Sequence, residues 1–176
     1  MLRAIRRIVL LLCVAAISGG LLVTFTTRPD LESADSNTNA AWRVIEPQID
    51  DRTEALAALN AAMIKAGRRV DLVDELTTAV RTWTQGGGSL NERIATANAL
   101  HAIGIRLLAI AGASPRFASD RGVIGAATRY EQQIIDPQDR DRLNTEIDGA
   151  NAIRDGLLRR IVADALGFQD HPHLAT

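Results

Sequence analysis

Cysteine, aromatic side chains and net charge are all scarce in this 176-residue chain, and the first and last of these scarcities exclude whole classes of chemistry. The one cysteine, Cys13, has no second thiol with which to build an internal disulfide, a CxxC pair or a cysteine-ligated zinc site. Lys+Arg number 20 against 21 Asp+Glu, which leaves a formal charge of −1 and a pI near 6.3. That balance supplies no basic stripe for a phosphate backbone, so no nucleic-acid partner is expected. Hydrolase signatures are missing too, since neither GxSxG nor HExxH occurs. Gly86-Gly87-Gly88 has no GK[ST] after it and no strand before it, and reads as a linker rather than a phosphate loop. No segment sustains period-two alternation, so the sequence gives no support to a sheet.

What is present is an apolar run of 18 residues without a charge, Ile8 to Phe25. As a helix rising about 1.5 Å per residue it spans roughly 27 Å, close to a hydrocarbon core of about 30 Å. Arg3, Arg6 and Arg7 with the small residues Ala15, Ala16 and Ser18 would also suit a cleaved signal peptide. Against cleavage, Leu21, Leu22, Val23 and Phe25 carry the run past the point where such a core ends. A lipoprotein cysteine needs a small residue before it, and Leu12 stands there. We read an uncleaved single-pass anchor. Three arginines precede the run while Arg28 follows it and soon meets Asp30, Glu32 and Asp35, which places the N-terminus in the cytoplasm and the body outside. Taking those three arginines from 20 leaves 17 basic against 21 acidic groups, a net of −4, which would not cling to anionic lipid.

Beyond a polar stretch, DLESADSNTN (30–39), the pattern is helical throughout. Trp42, Ile45, Ile49, Arg52, Leu56, Leu59, Met63, Ala66 and Val70 recur at threes and fours, the period of a helix packed along one seam. Pro47 predicts a kink, or a helix start near Glu46. A second helix is expected over about Leu72 to Trp83. A third opens at Ser89 with a capping box to Glu92, carries Ile94, Ala97, Leu100, Ile105, Leu108 and Ala111 on its apolar face, and stops at Gly112 and Pro115. A shorter helix follows across Val123 to Ile135. Asp136-Pro137-Gln138-Asp139 caps a last one, with Leu143, Ile147, Ala150, Leu157, Ile161 and Ala165 in rhythm and Gly167 closing it. The fold class is all-α: an N-terminal transmembrane helix and an antiparallel helical bundle, divided as anchor 1–28, juxtamembrane linker 29–39 and bundle 40–174.

Chemistry-bearing residues are few. His101 lacks the acid three residues before it that a di-iron bundle uses, and reads as a structural histidine. His171-Pro172-His173 beside Asp170 lacks further ligands. Asp50/Asp51 and Asp74/Glu75 are neighbours on helices that point different ways, which suits solvated faces. No catalytic residue, metal ligand or cofactor is expected. Arg52 is the informative charge, because it sits on an otherwise apolar seam. Either it is buried and paired with a carboxylate, Glu146 being a candidate, or it snorkels from the seam's edge. Trp42 is either a core plug, the favoured reading, or an interfacial anchor.

The stretch AAWRVIEPQIDDRTEALAAL, residues 40–59, resembles the signature helix of LemA-family proteins, with Trp42 followed by Gln48, Arg52, Glu54 and Leu59 at the family's intervals of six, ten, twelve and seventeen residues. ANALHAIGIRLLAIAGASP (97–115) is similar to a second family segment through Asn98, Leu107 and Pro115. NTEIDGAN (144–151) adds Glu146 and Asn151, and ALGFQDHPHL (165–174) resembles the closing GF-x-x-x-P-x-F stretch through Gly167 and Phe168. The chain departs from the family pattern at Ala57, Ala150 and Pro47. The resemblance implies a membrane-anchored four-helix bundle of the cell envelope. The function expected is a non-catalytic interaction or scaffold protein, touching the bilayer through residues 8–25 and a membrane or envelope protein through its helix faces, with self-association left open. The alternative is an extracytoplasmic ligand-binding or sensor module.

Overall fold

A computed structural model describes residues 2–67 and 72–175, together with their side chains except those of residues 2–23, 157 and 158. The side chains of the expected anchor up to Val23, Cys13 among them, and Val70 of the seam therefore lie outside the described residues. Among the described residues there are seven helices and no strand, so the chain is all-helical.

Helix α1, Leu2–Lys65, runs unbroken through both the polar stretch at 29–39 and Pro47. The sequence suggests a linker or a frayed helix start at 30–39 and a kink or a helix start at Pro47; the helix instead runs through both, and the burial pattern explains why. Leu31, Thr38, Trp42 and Ile45 are all nearly inaccessible and recur at helical spacing, so the polar stretch carries its own buried stripe. Pro29 and Pro47 fall on the exposed side, as do Phe25 and Arg43, whose carbonyls lose their usual amide partners there, so the missing bonds lie on the solvent face. The remaining helices are α2 (Val73–Thr84), α3 (Leu90–Ala113), α4 (Pro115–Ala118), α5 (Arg121–Gln132), α6 (Pro137–Arg154) and α7 (Leu157–Leu166). Ser89 accepts from the Glu92 amide and Glu92 returns the bond, the capping box that the spacing predicts. Asp120 caps α5 through the amides of Gly122 and Val123, and Asp136 accepts from Gln138 at the start of α6.

Two expectations are corrected. One final helix is in fact two, because Gly156 adopts φ +109°, a conformation an L side chain rarely takes, and the path breaks there. Ile161 is consequently 56% exposed while Ala163 is buried. On α3 the buried face is Ile94, Ala97, Leu100, Ile103, Gly104, Leu107 and Ala111, and Ile105 points outward. Position 105 is five beyond Leu100, off the stripe that steps of three and four generate.

The chain divides into two compact units. The first comprises Met1–Thr38 and Glu146–His171, with Leu31, Ile147, Ala150, Ala163 and the side chain of Arg154 buried. The second comprises Asn39–Thr145 and Pro172–Thr176. Its core takes the seam of α1 (Trp42, Ile45, Ile49, Leu56, Leu59, Met63), Leu76 and Trp83 from α2, the α3 face, and Phe117, Val123, Tyr130, Leu143 and Leu174. There α2 and α5 pack on α3 and α4 joins α3 to α5. α3 is also long and apolar enough to cross a membrane by length and composition, but its apolar face is spent inside this unit.

Candidate functional site

In the second unit the expected seam arginine gathers a polar cluster. Arg52, half-buried, donates from Nη1 to the Gln133 carbonyl at 2.6 Å and from Nε to the Tyr130 hydroxyl at 3.3 Å, with its Cζ 4.6 Å from the Tyr130 ring centroid. Its Nη2 lies 3.4 Å from His101 Nδ1. Within this unit its partners are neutral acceptors and a ring rather than a carboxylate; Glu146, the candidate partner, belongs to the first unit, where its carbonyl accepts from Thr38. Tyr130 can reach Arg52 because Gly104 leaves room beneath it: a Cβ at 104 would fall on the tyrosine hydroxyl and ring. Arg52→Ala should cost about 1–3 kcal/mol in a denaturant titration, because it leaves the buried Tyr130 hydroxyl and the Gln133 carbonyl without donors but strands no charge. Arg52→Lys should recover little, since one ammonium cannot serve acceptors on two sides. A loss above about 4 kcal/mol would point back to a buried carboxylate.

Above this cluster lies a small apolar recess, a cavity of about 10 Å³ bounded by Ile49, Arg52, Leu56, Leu100 and Tyr130 and closed by Leu174. That volume is at the lower limit for one water. The strap that closes it, residues 172–175, is non-helical and held by asparagines. Asn98 donates to the His173 carbonyl (2.9 Å) and accepts from the Ala175 amide (2.7 Å). Asn144 accepts from the Leu174 amide (2.9 Å) and donates to the Leu174 carbonyl (3.2 Å). In the first unit Asn151 treats His171 the same way, with both bonds at 3.0 Å. A primary amide offers one donor and one acceptor side by side, and three asparagines here use both on main chain.

The other sequence-selected residues have structural places. Trp42 is 3% exposed and meets Trp83 edge-on at 6.1 Å, with Arg93 over both rings and ion-paired to Glu46. Gln48 accepts from the Asp136 amide and donates to Asp139, both at 2.7 Å, tying α1 to the start of α6. Glu54 is exposed and pairs with Arg129 at 3.3 Å, Leu59 and Leu107 are fully buried, and Pro115 opens α4. Gly167 ends α7 in the left-handed conformation at φ +83°, and the Phe168 amide bonds back to Ala163. Of the acidic pairs, Asp50 accepts from Trp83 Nε1 at 2.7 Å and Glu75 pairs with Arg106 at 2.9 Å. Among the described residues no group of three His, Cys, Asp or Glu is placed to hold a metal. Sequence reasoning missed Tyr130, Asn144 and Leu174.

Burial, reinforced by the Arg52 charge, lowers the affinity of His101 for its proton. Burial likewise lowers that of His171, against the opposing hydrogen bond of Asp35 at 3.3 Å. Both folded values sit below the ordinary one of about 6.5, so the unfolded chain takes up more protons as the pH falls through that point. Stability should therefore be full above about pH 7 and decline as the pH drops through about 6.5 toward the folded values. Urea midpoints should fall between about pH 7.5 and about pH 5.5, and His101→Gln should flatten part of that slope.

Against known proteins, the chain matches no family model, no curated protein and no solved structure. What the arrangement can do chemically is read from its groups alone: they hold a polypeptide backbone in extended form and take up one aliphatic side chain.

Proposed function

We propose that the chain is a LemA-like interaction protein of the cell envelope, anchored by residues 8–25 and continuing into a four-helix bundle that works without catalysis of its own. The observation that carries the reading is the asparagine pair on α3 and α6 in the second unit. Asn98 and Asn144 hold the chain's own segment 173–175 through its amides and carbonyls, a form of recognition that reads main chain rather than sequence. The anchor is supported by the uninterrupted apolar run and by its place within α1. We read α3, the other apolar helix, as a core element, because it carries Arg93, His101 and Arg106, each held by a polar partner within its unit. The recess at Arg52 has room for at most one water, so a small-molecule ligand would have to sit elsewhere.

Carbonate extraction should leave the chain in the membrane pellet with its first residues intact, and protease added to spheroplasts should digest residues 30–176. A shortened soluble form would argue for cleavage, and a protected body for the opposite orientation. Cross-linking in intact membranes followed by purification should recover a stoichiometric protein partner. Recovery of the chain alone with a bound small molecule would favour the sensor.

A further inference from the structure

In the first unit the end of α6 and the start of α7 lie toward the apolar run. The Glu146 carbonyl accepts from Thr38, and a recess between the two helices is lined by Asp30 and Ala34 of α1 with Gly149 and Ile153 of α6. α6 therefore runs antiparallel to α1, and its last turn comes level with Asp30, five residues and about 7.5 Å of helix beyond Phe25. Thr27 is 4% exposed, so the packed part of the unit reaches to within two residues of the run's end. α7 begins on that side, just after Gly156 breaks the path of α6. It buries Ala163 and turns Ile161 outward, 56% exposed, with Arg159 and Arg160 exposed beside it. In sequence Leu157 and Leu158 stand four and three residues before Ile161. A helix that turns an isoleucine outward between arginines has the pattern of one that lies against a membrane surface.

We propose that the first turns of α7 rest on the bilayer surface, with Ile161 in the boundary between headgroups and acyl chains and Arg159 and Arg160 on lipid phosphates. This rests on the anchor reading of residues 8–25 and adds a second contact to it. The headgroup layer is about 5–7 Å deep outside the hydrocarbon. With Phe25 at the inner edge of that layer, Asp30 stands near its outer edge and the packed level of Thr27 stands within it. Charge complementarity names the occupant. Arg159 and Arg160 fall in a first turn that holds no acid, where their charge adds to the positive end of the helix dipole. That arrangement is unfavourable in water and favourable against phosphate. Arg160 meets Asp170 only at 3.9 Å and its side chain is 70% exposed, which leaves donors free for a lipid. The net negative charge of the body does not oppose the contact, since screening limits the reach of each exposed charge to about 10 Å.

The test uses the full chain in nanodiscs of phosphatidylcholine and phosphatidylglycerol. In a Cys13→Ser background, Ile161→Cys carries an environment-sensitive fluorophore, and Asp148→Cys, exposed on α6 of the same unit, carries it as the control. The label at 161 should be quenched by lipid that bears a spin label near its headgroup, and should resist aqueous iodide about threefold better than the label at 148. Arg159→Glu together with Arg160→Glu should move it into water and raise its iodide quenching to the level of the control. Should I161C fail to reconstitute, Arg160→Cys carries the label at a position already exposed. Iodide quenching at 161 equal to that at 148 overturns the proposal. So does shielding from both quenchers, which would make protein, a second copy included, the cover of this face. The anchor reading is checked separately in the unmodified chain, where Cys13 should stay closed to a water-soluble maleimide. A closed Cys13 beside a water-exposed label removes the α7 contact and leaves the anchor intact, whereas a reacting Cys13 overturns both.

Discussion

Gly104→Ala should lower the stability of the second unit by about 3 kcal/mol, read as a shift in urea midpoint without loss of the denaturant slope. A methyl there meets the hydroxyl and ring of Tyr130, which is 1% exposed and pinned by Arg52 through both its oxygen and its face. A flexible side-chain end could swing away at little cost, whereas a clamped ring moves only with α5 and with the Arg52 bonds. Tyr130→Phe in the Gly104→Ala background should restore only part of the loss, because the ring carbon that bears the hydroxyl is also in the way. A midpoint within about 0.5 kcal/mol of the parent would mean that α3 and α5 pack more loosely than described.

Leu59→Ala should cost about 2–5 kcal/mol. Leu59 is fully buried on the seam of α1 with Leu56 and Met63. The loss combines the transfer of three heavy atoms with the void they leave, and its size depends on how far the neighbours collapse. Leu59→Met, which nearly conserves volume, should stay under about 1.5 kcal/mol. Val44→Ala, on the exposed side of the same helix, is the surface control and should change little.

These two positions differ in how visible they are in the sequence. Leu59 is marked by its period, since a helix that buries one stripe must repeat apolar residues at threes and fours, and the α1 seam from Trp42 to Met63 follows that rule with Arg52 as its only interruption. Ser89 with Glu92 was legible for a similar reason, because a cap is a local contract between residues three apart. Gly104 was not legible, because its role depends on a ring 26 positions away in sequence, and nothing local distinguishes a glycine that leaves room from one that merely breaks a helix. Arg52 was half legible. Its seam position declared that something polar would meet it, but the choice between a carboxylate and a tyrosine, a carbonyl and a histidine is made by which helix arrives, not by α1. The strap was the least visible. Asn98 and Asn144 hold backbone, every residue has one, and so the held segment bears no mark except Leu174.

The two tryptophans, Trp42 and Trp83, stand edge to face 6.1 Å apart with the Arg93 guanidinium over both, and the only tyrosine, Tyr130, belongs to the same unit. Every intrinsic fluorophore that absorbs near 280 nm is thus gathered in residues 39–145, and the unit built from Met1–Thr38 and Glu146–His171 is optically silent. Emission follows the meeting of α1 with α2 and α3 and nothing else, while circular dichroism weighs every helix. When the two signals move together on unfolding, both units melt as one cooperative event; when emission lags or leads, the units unfold in separate steps and the interval between the curves reflects the difference in their stabilities.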